Sequence, residues 1–462
     1  MEDTSSMMPK KKLSKNCVLV LLISCFVPLT VLASGESRLP DVAIPLQTEG
    51  MERTTPLFEA FAPFLSTGDI KPGFEIPTGA IWQPGLLVWG DFRSALQQND
   101  NGNVTTEEWS NRLNLFAQLK LTGTERVLMS VRPLDEGGRF SGYRFKPDTN
   151  DNSIDASNDD IRTLFFEGDF GEVFPNLDPD DSRRLDLGFA IGRQPLFKQE
   201  GILVNDTVDA IGIVRNSGRS FGASNVRVAA LYSWNEVNRN DRLEDSKAEL
   251  YGLFSELDFS CCTVNVDLIL VDSELPTGGG SFIGVSSVQR FGHINTSFRL
   301  FNSTAEEADN AAVSSGSLFF FELSTTPPKT DNNYYLNGFV GIDQYSPAAL
   351  DFGVGGPLAR TGILFAGVGL GSYGSPLDNN STDVFGSSLG YQMFFSGGRQ
   401  QLIAEVAFRK ETKGLKTGSE AAGLRYQQAS GLHTIYILDG FVSNHDVNGS
   451  GSGMRAEVRF KF

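Results

Sequence analysis

From about residue 85 onward, apolar and polar residues alternate along most of the chain, in stretches of about ten residues broken by clusters of Gly, Asn, Asp and Ser. In Asn111–Thr122 one set of alternate positions holds Leu113, Leu115, Ala117, Leu119 and Leu121, and the other holds Arg112, Asn114, Phe116, Gln118 and Lys120. A period of two places the sets on opposite faces of a strand. Gly123-Thr124 then turns the chain into Arg126–Arg132, where Val127, Met129 and Val131 oppose Arg126, Leu128, Ser130 and Arg132. The design recurs in Arg184–Ile191, Asn225–Trp234, Thr263–Val271, His293–Leu300 and Gln401–Arg409. Further strands are predicted to begin near Thr163, Val208, Glu249, Ser281, Ser317, Tyr334, Gly362, Val384, Ala421 and Leu432. No amphipathic helix of three turns interrupts them.

Strand length and turn asymmetry separate a soluble sandwich from a membrane barrel. The clear strands exceed the five or six residues usual in soluble sheets. Tight connections (Gly123-Thr124, Ser430-Gly431) alternate with long acidic ones such as 134–160, the asymmetry of an outer-membrane barrel. The pattern therefore predicts an all-β, transmembrane antiparallel β-barrel over 85–462, against the rival of a secreted soluble β-protein. Nineteen candidate strands lie between Leu86 and Phe462. Single-chain bacterial barrels have even strand numbers, so the count is one too many or one too few. The Gly-rich stretches of residues 344–383 are the place to look, because they could fold inward as a constriction. The expected count is 18, with 16 as the alternative.

The C-terminus strengthens this picture. Met454, Ala456, Val458, Phe460 and Phe462 alternate with Arg455, Glu457, Arg459 and Lys461, and Phe462 is the last residue. This resembles the closing strand of Gram-negative outer-membrane porins. The resemblance implies that Phe462, Phe460 and Val458 form an assembly signal read by the barrel assembly machinery. Gly192-Arg193-Gln194, with Gly201-Ile202-Leu203-Val204-Asn205-Asp206, is similar to the corresponding stretch of alginate-export-type porins. That likeness covers about 25 residues, and alginate is not carried over from it as substrate.

Before the barrel, Lys10, Lys11, Lys12 and Lys15 precede an apolar run from Cys17 to Ala33, which ends in small residues before Ser34-Gly35-Glu36. This predicts a signal peptide over 1–33, cleaved after Ala33. Leu22-Ile23-Ser24-Cys25 offers a lipobox-like alternative at Cys25. Residues 34–84 hold seven prolines and no sustained period, as expected of a periplasmic leader or partial plug; within it Pro56–Ser66 is aromatic enough to pack against the main domain. Composition then narrows the function. The 39 Lys and Arg against 56 Asp and Glu give a net charge of -17, with no basic stretch beyond the N-terminus, which excludes a nucleic-acid partner. Three His and four Cys leave too few ligands for a His-rich metal centre or zinc ribbon. Cys261 and Cys262 are adjacent, with Cα atoms too close for a relaxed disulfide, and are expected as two thiols in a turn.

Four groups of residues carry candidate chemistry. Gln97–Gly102 with Glu108 partly matches a calcium loop, but Gln stands where Asp is required and strands flank it. Asp148, Asp151, Asp155, Asp159 and Asp160 crowd one predicted external loop, where they could bridge divalent ions or simply remain solvated. His293, His433 and His445 lie on separate segments without a nucleophile motif, which argues against an enzyme. The polar strand faces, however, carry Arg93, Arg112, Lys120, Arg126, Arg132, Arg184, Arg227, Arg299, Arg409, Arg425, Arg455, Arg459 and Lys461, against only Asp91, Asp186, Asp267, Glu405 and Glu457. Arg93, Arg112, Lys120, Arg132, Arg227, Arg299 and Arg425 are therefore the candidate pore-lining residues. The resulting expectation is a cofactor-free passive channel of the bacterial outer membrane, set among its lipids and lipopolysaccharide and passing small hydrophilic, preferentially anionic solutes. A plugged structural or surface-binding barrel is the alternative, and a barrel enzyme is a third.

Overall fold

The computed structural model describes residues 53–61, 64, 72–147, 152–180, 182–273, 278–307 and 312–462. The signal segment 1–33 lies outside the described residues. Eighteen antiparallel strands follow one another in chain order: β1 Gly85–Asp100, β2 Thr105–Lys120, β3 Arg126–Val131, β4 Ile161–Asp169, β5 Gly188–Lys198, β6 Val204–Gly218, β7 Asn225–Asn235, β8 Ala248–Asp258 and β9 Cys262–Ser273. The second half comprises β10 Gly280–Phe291, β11 Ile294–Ala305, β12 Gly316–Thr325, β13 Asn333–Asp343, β14 Val384–Phe395, β15 Gln400–Glu411, β16 Gly418–Ser430, β17 Thr434–His445 and β18 Gly449–Lys461. Each pairs with its sequence neighbour, and β18 pairs with β1 from Lys461↔Asp91 to Ser452↔Asp100. Closure leaves no sheet edge along this seam, so the backbone polar groups are satisfied without water.

Side-chain alternation fixes which face is which. Leu96, Leu268, Leu270, Leu389, Val406, Leu424, Leu438, Val442 and Met454 are exposed on the outside. Their interleaved neighbours, such as Gln97, Asp267, Ile269, Ser388, Asp439 and Arg455, are buried toward the inside. An unbroken apolar exterior is costly in water and required in lipid. The barrel begins and ends at the same rim, where the connections are mostly short: 121–125, 259–261, 292–293, 396–399 and 431–433. The opposite rim carries the long ones, 132–160 and 344–383 among them.

Three details sharpen the sequence reading. The third lane is shared: Arg126–Val131 pairs with one half of β2, and Gly142–Lys146 with the other. At the seam, Phe462 exchanges backbone hydrogen bonds with Gly90 at 2.8 and 3.1 Å, and Phe58–Phe61 then pairs with Val88–Gly85 in the same lane. Part of the proline-rich leader thus lies along the rim. The strand predicted near Gly362 does not form. Residues 344–383 run from β13 to β14 through the barrel interior, which accounts for the surplus candidate.

A second correction concerns Arg184–Ile191. After β4 comes a short helix, Phe170–Val173, whose first turn is capped by the Asp169 carboxylate, followed by a 3-10 turn at Pro175–Leu177. The strand starts only at Gly188 and continues through Pro195 to Lys198. Arg184 and Asp186 therefore lie outside the strands. Alternation of side chains does not by itself reveal where backbone pairing begins.

Candidate functional site

The interior is divided into two unlike parts by the 344–383 segment, which acts as a strap. Its base runs beside the β5–β6 turn: Ala348 donates to the Leu203 carbonyl at 2.9 Å, Asp351 to that of Asn205 at 2.9 Å, and the Tyr345 hydroxyl to that of Ile202 at 2.9 Å. Around it lies a dry core. Inward-facing Leu250, Phe254, Ile269, Phe282, Phe301, Leu318, Phe320 and Phe339 pack with Ile202 and Leu203 and with strap residues Ala349, Leu358, Leu364 and Phe365. At roughly 1.5 to 3 kcal/mol per fully buried large apolar side chain, this cluster holds the strap firmly.

Polar contacts fix the strap's position in the bore. The Glu405 carboxylate on β15 accepts the Ile363 and Leu364 amides at 3.0 and 2.9 Å, and also the Tyr335 hydroxyl. A Cβ at Gly362 would collide with the same carboxylate, so glycine permits this approach. Across the bore, Arg93 donates to the Val368 carbonyl at 3.1 Å and Arg112 to that of Gly369 at 2.7 Å. Ser372 N donates to Glu108, and Leu370 is buried with Ala95 and Phe140. Gly371 has φ +66° and leaves no room for a Cβ against Gln97, Glu108 and Ser110.

On the short-turn side of the strap, Trp89, Asp91, Arg93, Arg112, Asn114, Arg132, Arg459, Lys461 and Phe462 help to line a chamber of about 420 Å³. Five cations face one carboxylate in that lining. Under the β7–β11 wall, a chamber of about 260 Å³ is lined by Lys198, Arg227 and Arg299 and by Glu200, Glu256 and Asp267. Its charges balance.

Arg184 apart, the predicted cations face inward, but most meet acids that the sequence reading left out. Ten of the thirteen are in ion pairs. Arg93 Nε donates to Glu457 at 2.7 Å, Arg112 and Arg132 lie 3.6 and 4.0 Å from Asp135, Arg227 is 3.2 Å from Glu256, and Arg459 is 3.1 Å from Asp91. Arg299 pairs with Glu322, and Arg425 with Asp439, which also takes Arg455 at 2.5 Å. Lys120 stands partly exposed at the end of β2. Arg93, Glu457, Arg455, Asp439 and Arg425 form one chain of charges around β1, β18, β17 and β16. Asp135, Glu167, Glu256, Glu322, Asp378 and Asp439 were the missing acids. Glu322 sits in the apolar run Leu318–Leu323, which hides the strand's two faces, but Asp439 was legible as the polar residue flanked by Leu438 and Gly440.

Other candidates disperse. Gln97 and Glu108 are hydrogen-bonded at 2.6 Å across a strand hairpin, so the calcium-loop geometry is not formed. Asp155 accepts the Ser157 amide at 3.0 Å, while Asp148 and Asp151 lie outside the described residues. His433 and His445 are hydrogen-bonded at opposite rims, to the Lys461 carbonyl at 2.7 Å and to Ser419 at 2.9 Å. His293 lies in the β10–β11 turn. Of the alginate-exporter-like residues, Arg193 pairs with Asp209 at 2.9 Å and Glu236 at 2.6 Å, and Asp206 is buried against Asn238 at 2.7 Å.

The architecture matches solved outer-membrane porins. OpdK from Pseudomonas aeruginosa is 12% identical, with 82% of this chain and 98% of that chain covered and a TM-score of 0.53. A BenF-like porin from Pseudomonas fluorescens Pf-5 is 10% identical over 82% and 98%, with a TM-score of 0.55. OccAB2 from Acinetobacter baumannii is 13% identical over the same shares, with a TM-score of 0.53. No protein-family model and no curated protein matches the sequence. At these identities the likeness establishes the fold: a closed antiparallel barrel of 18 strands.

Proposed function

We propose that this protein is a passive outer-membrane channel for small hydrophilic solutes, with a preference for anions set by the chamber lined by Arg93, Arg112, Arg132, Arg459 and Lys461. The single observation that carries this reading is the positive surplus in that chamber, five cations against Asp91 in its lining and Glu457 and Asp135 in ion pairs with them, inside a closed barrel with an apolar exterior. A confined positive field raises local anion concentration, whereas loop acids in bulk water are screened over roughly 8 Å. Arg227, Arg299 and Arg425 each have a carboxylate at contact distance and contribute little net field, whereas in the chamber Arg112 and Arg132 share Asp135 and Lys461 has no ion pair among the described residues. Transport needs no cofactor and no chemistry. One matched barrel is described as a BenF-like porin, and OpdK, described as an outer membrane protein, has been crystallised with vanillate; a small organic anion of that kind is the solute class we propose. The short alginate-exporter likeness adds no support for a polymer.

The partners follow from the same picture: membrane lipid and lipopolysaccharide around the apolar exterior, and the barrel assembly machinery reading Val458, Phe460 and Phe462. Export through residues 1–33 and a leader role for 34–84 complete the proposal. Single-channel recording in a KCl gradient tests the function. The expected result is a conducting, anion-selective channel in the full-length mature protein. A barrel that conducts only after deletion of 34–84 would instead favour the plugged reading, and a channel that prefers potassium would overturn the anion preference.

A further inference from the structure

Cys261 and Cys262 occupy the tight turn between β8 and β9, on the rim where the barrel begins and ends. The turn is closed by the Phe259 amide donating to the Cys262 carbonyl at 2.8 Å. Cys261 is exposed and Cys262 half-buried, and their Sγ atoms lie 3.3 Å apart. Nothing in the channel reading uses either thiol.

Two thiols this close can join each other or share a third atom, and geometry separates these outcomes. Neighbouring Cα atoms are about 3.8 Å apart across a trans peptide, whereas a relaxed disulfide spans roughly 4.4 to 6.8 Å. Direct joining therefore distorts the backbone. An inserted ion relieves that constraint, because two bonds of about 2.3 Å meeting near a right angle hold their sulfurs about 3.3 Å apart. That is the pyramidal geometry of a trivalent metalloid. A tetrahedral zinc ion would spread the sulfurs to about 3.8 Å and demand two further ligands. Among the described residues no group of three His, Cys, Asp or Glu forms such a site. The Asp258 carboxylate nearby accepts instead from Thr263 Oγ1 at 2.7 Å and Asn225 Nδ2 at 3.5 Å.

We infer that Cys261 and Cys262 form a dithiol site that captures a trivalent thiophilic metalloid, arsenic(III) hydroxide being the simplest, at this mouth of the barrel. Each S–As bond forms as one As–O bond breaks, and the thiol proton leaves with the hydroxide as water. Two waters depart, one hydroxide stays on arsenic, and no oxidation state changes. The reaction therefore needs no oxidant and no base from the protein.

Phenylarsine oxide is the probe. After phosphine reduction, wild-type protein is expected to take up one phenylarsenic group on the peptide spanning Cys261 and Cys262, located by tandem mass spectrometry. Mapping to the peptide excludes any contribution from Cys17 or Cys25. The adduct should survive a large excess of monothiol and be removed by ethanedithiol. Cys261→Ser and Cys262→Ser should each lower retention about a hundredfold or more, because the second bond is intramolecular and gains its effective concentration from the first. Both changes lie in a surface turn, and an unchanged heat-modifiable band would show that the barrel is intact. Absence of an adduct on a pair that reacts with two maleimides, a pair that resists reduction, or equal retention in Cys262→Ser would each overturn the inference.

Discussion

The β8–β13 wall and the β16–β18, β1–β2 wall face the same bore and solve opposite problems. Along β8–β13 the inward positions hold Leu250, Phe254, Ile269, Phe282, Phe301, Leu318, Phe320 and Phe339, covered by the strap. Along β16–β18 and β1–β2 they hold Arg425, Asp439, Arg455, Glu457, Arg459, Asp91, Arg93 and Arg112, arranged in ion pairs around a chamber. An inward face can thus be apolar where a folded-in loop excludes water, but where solvent enters, each buried charge must find a partner. On the proposed channel function, the solute path belongs to the charged wall, because the strap fills most of the space beside the apolar one.

The contrast is broken most severely from the apolar side. Phe301→Asp places an unpaired carboxylate in the dry core and is expected to cost about 4 kcal/mol or more, seen as loss of the folded band on an unheated gel. Asn114→Asp, on the charged wall of the chamber, should change stability by about 1 kcal/mol or less in the same assay. A comparable loss for both would mean that the two walls do not differ as described.

Next in size, Arg455→Gln leaves Asp439 and Glu457 facing each other in a buried network and should destabilise by about 3 kcal/mol in denaturant titration. Arg455→Gln combined with Glu457→Gln should deepen that loss, because the second change leaves Arg93 without its carboxylate. If the double variant is more stable than the single one, the network is not held by charge matching.

A functional effect of moderate size should come from Arg93→Gln with Arg112→Gln. The reversal potential in a KCl gradient is expected to shift toward the cation limit, since two of the chamber's five cations are removed. Arg227→Gln with Glu256→Gln removes a balanced pair and should leave it nearly unchanged. Equal shifts would erase the distinction between the two chambers. The smallest effect is expected from Arg126→Gln: its pair with Glu167 is half-exposed, so stability should change by about 0.5 kcal/mol or less.

The sequence alone determined the barrel, the candidate strand near Gly362 aside, because membrane spanning imposes a period of two that survives in every clear strand. Asn111–Thr122 and Met454–Phe462 declare their lipid face and their inner face without reference to any other residue. Nearest-neighbour topology then follows, since each strand pairs with the next. The inward folding of 344–383 was also legible, from excess glycine and an odd strand count. What only tertiary structure decided was the character of the lumen. Arg299 and Arg425 looked like free positive charge until Glu322 and Asp439 were brought beside them from adjacent strands. The run Leu318-Phe319-Phe320-Phe321 gave no sign that Leu318 and Phe320 face a strap and not water. Alternation encodes which way a side chain points, because that depends on the strand's own backbone. What it meets there depends on residues tens to hundreds of positions away, and these are placed only by closure of the barrel and folding of the strap.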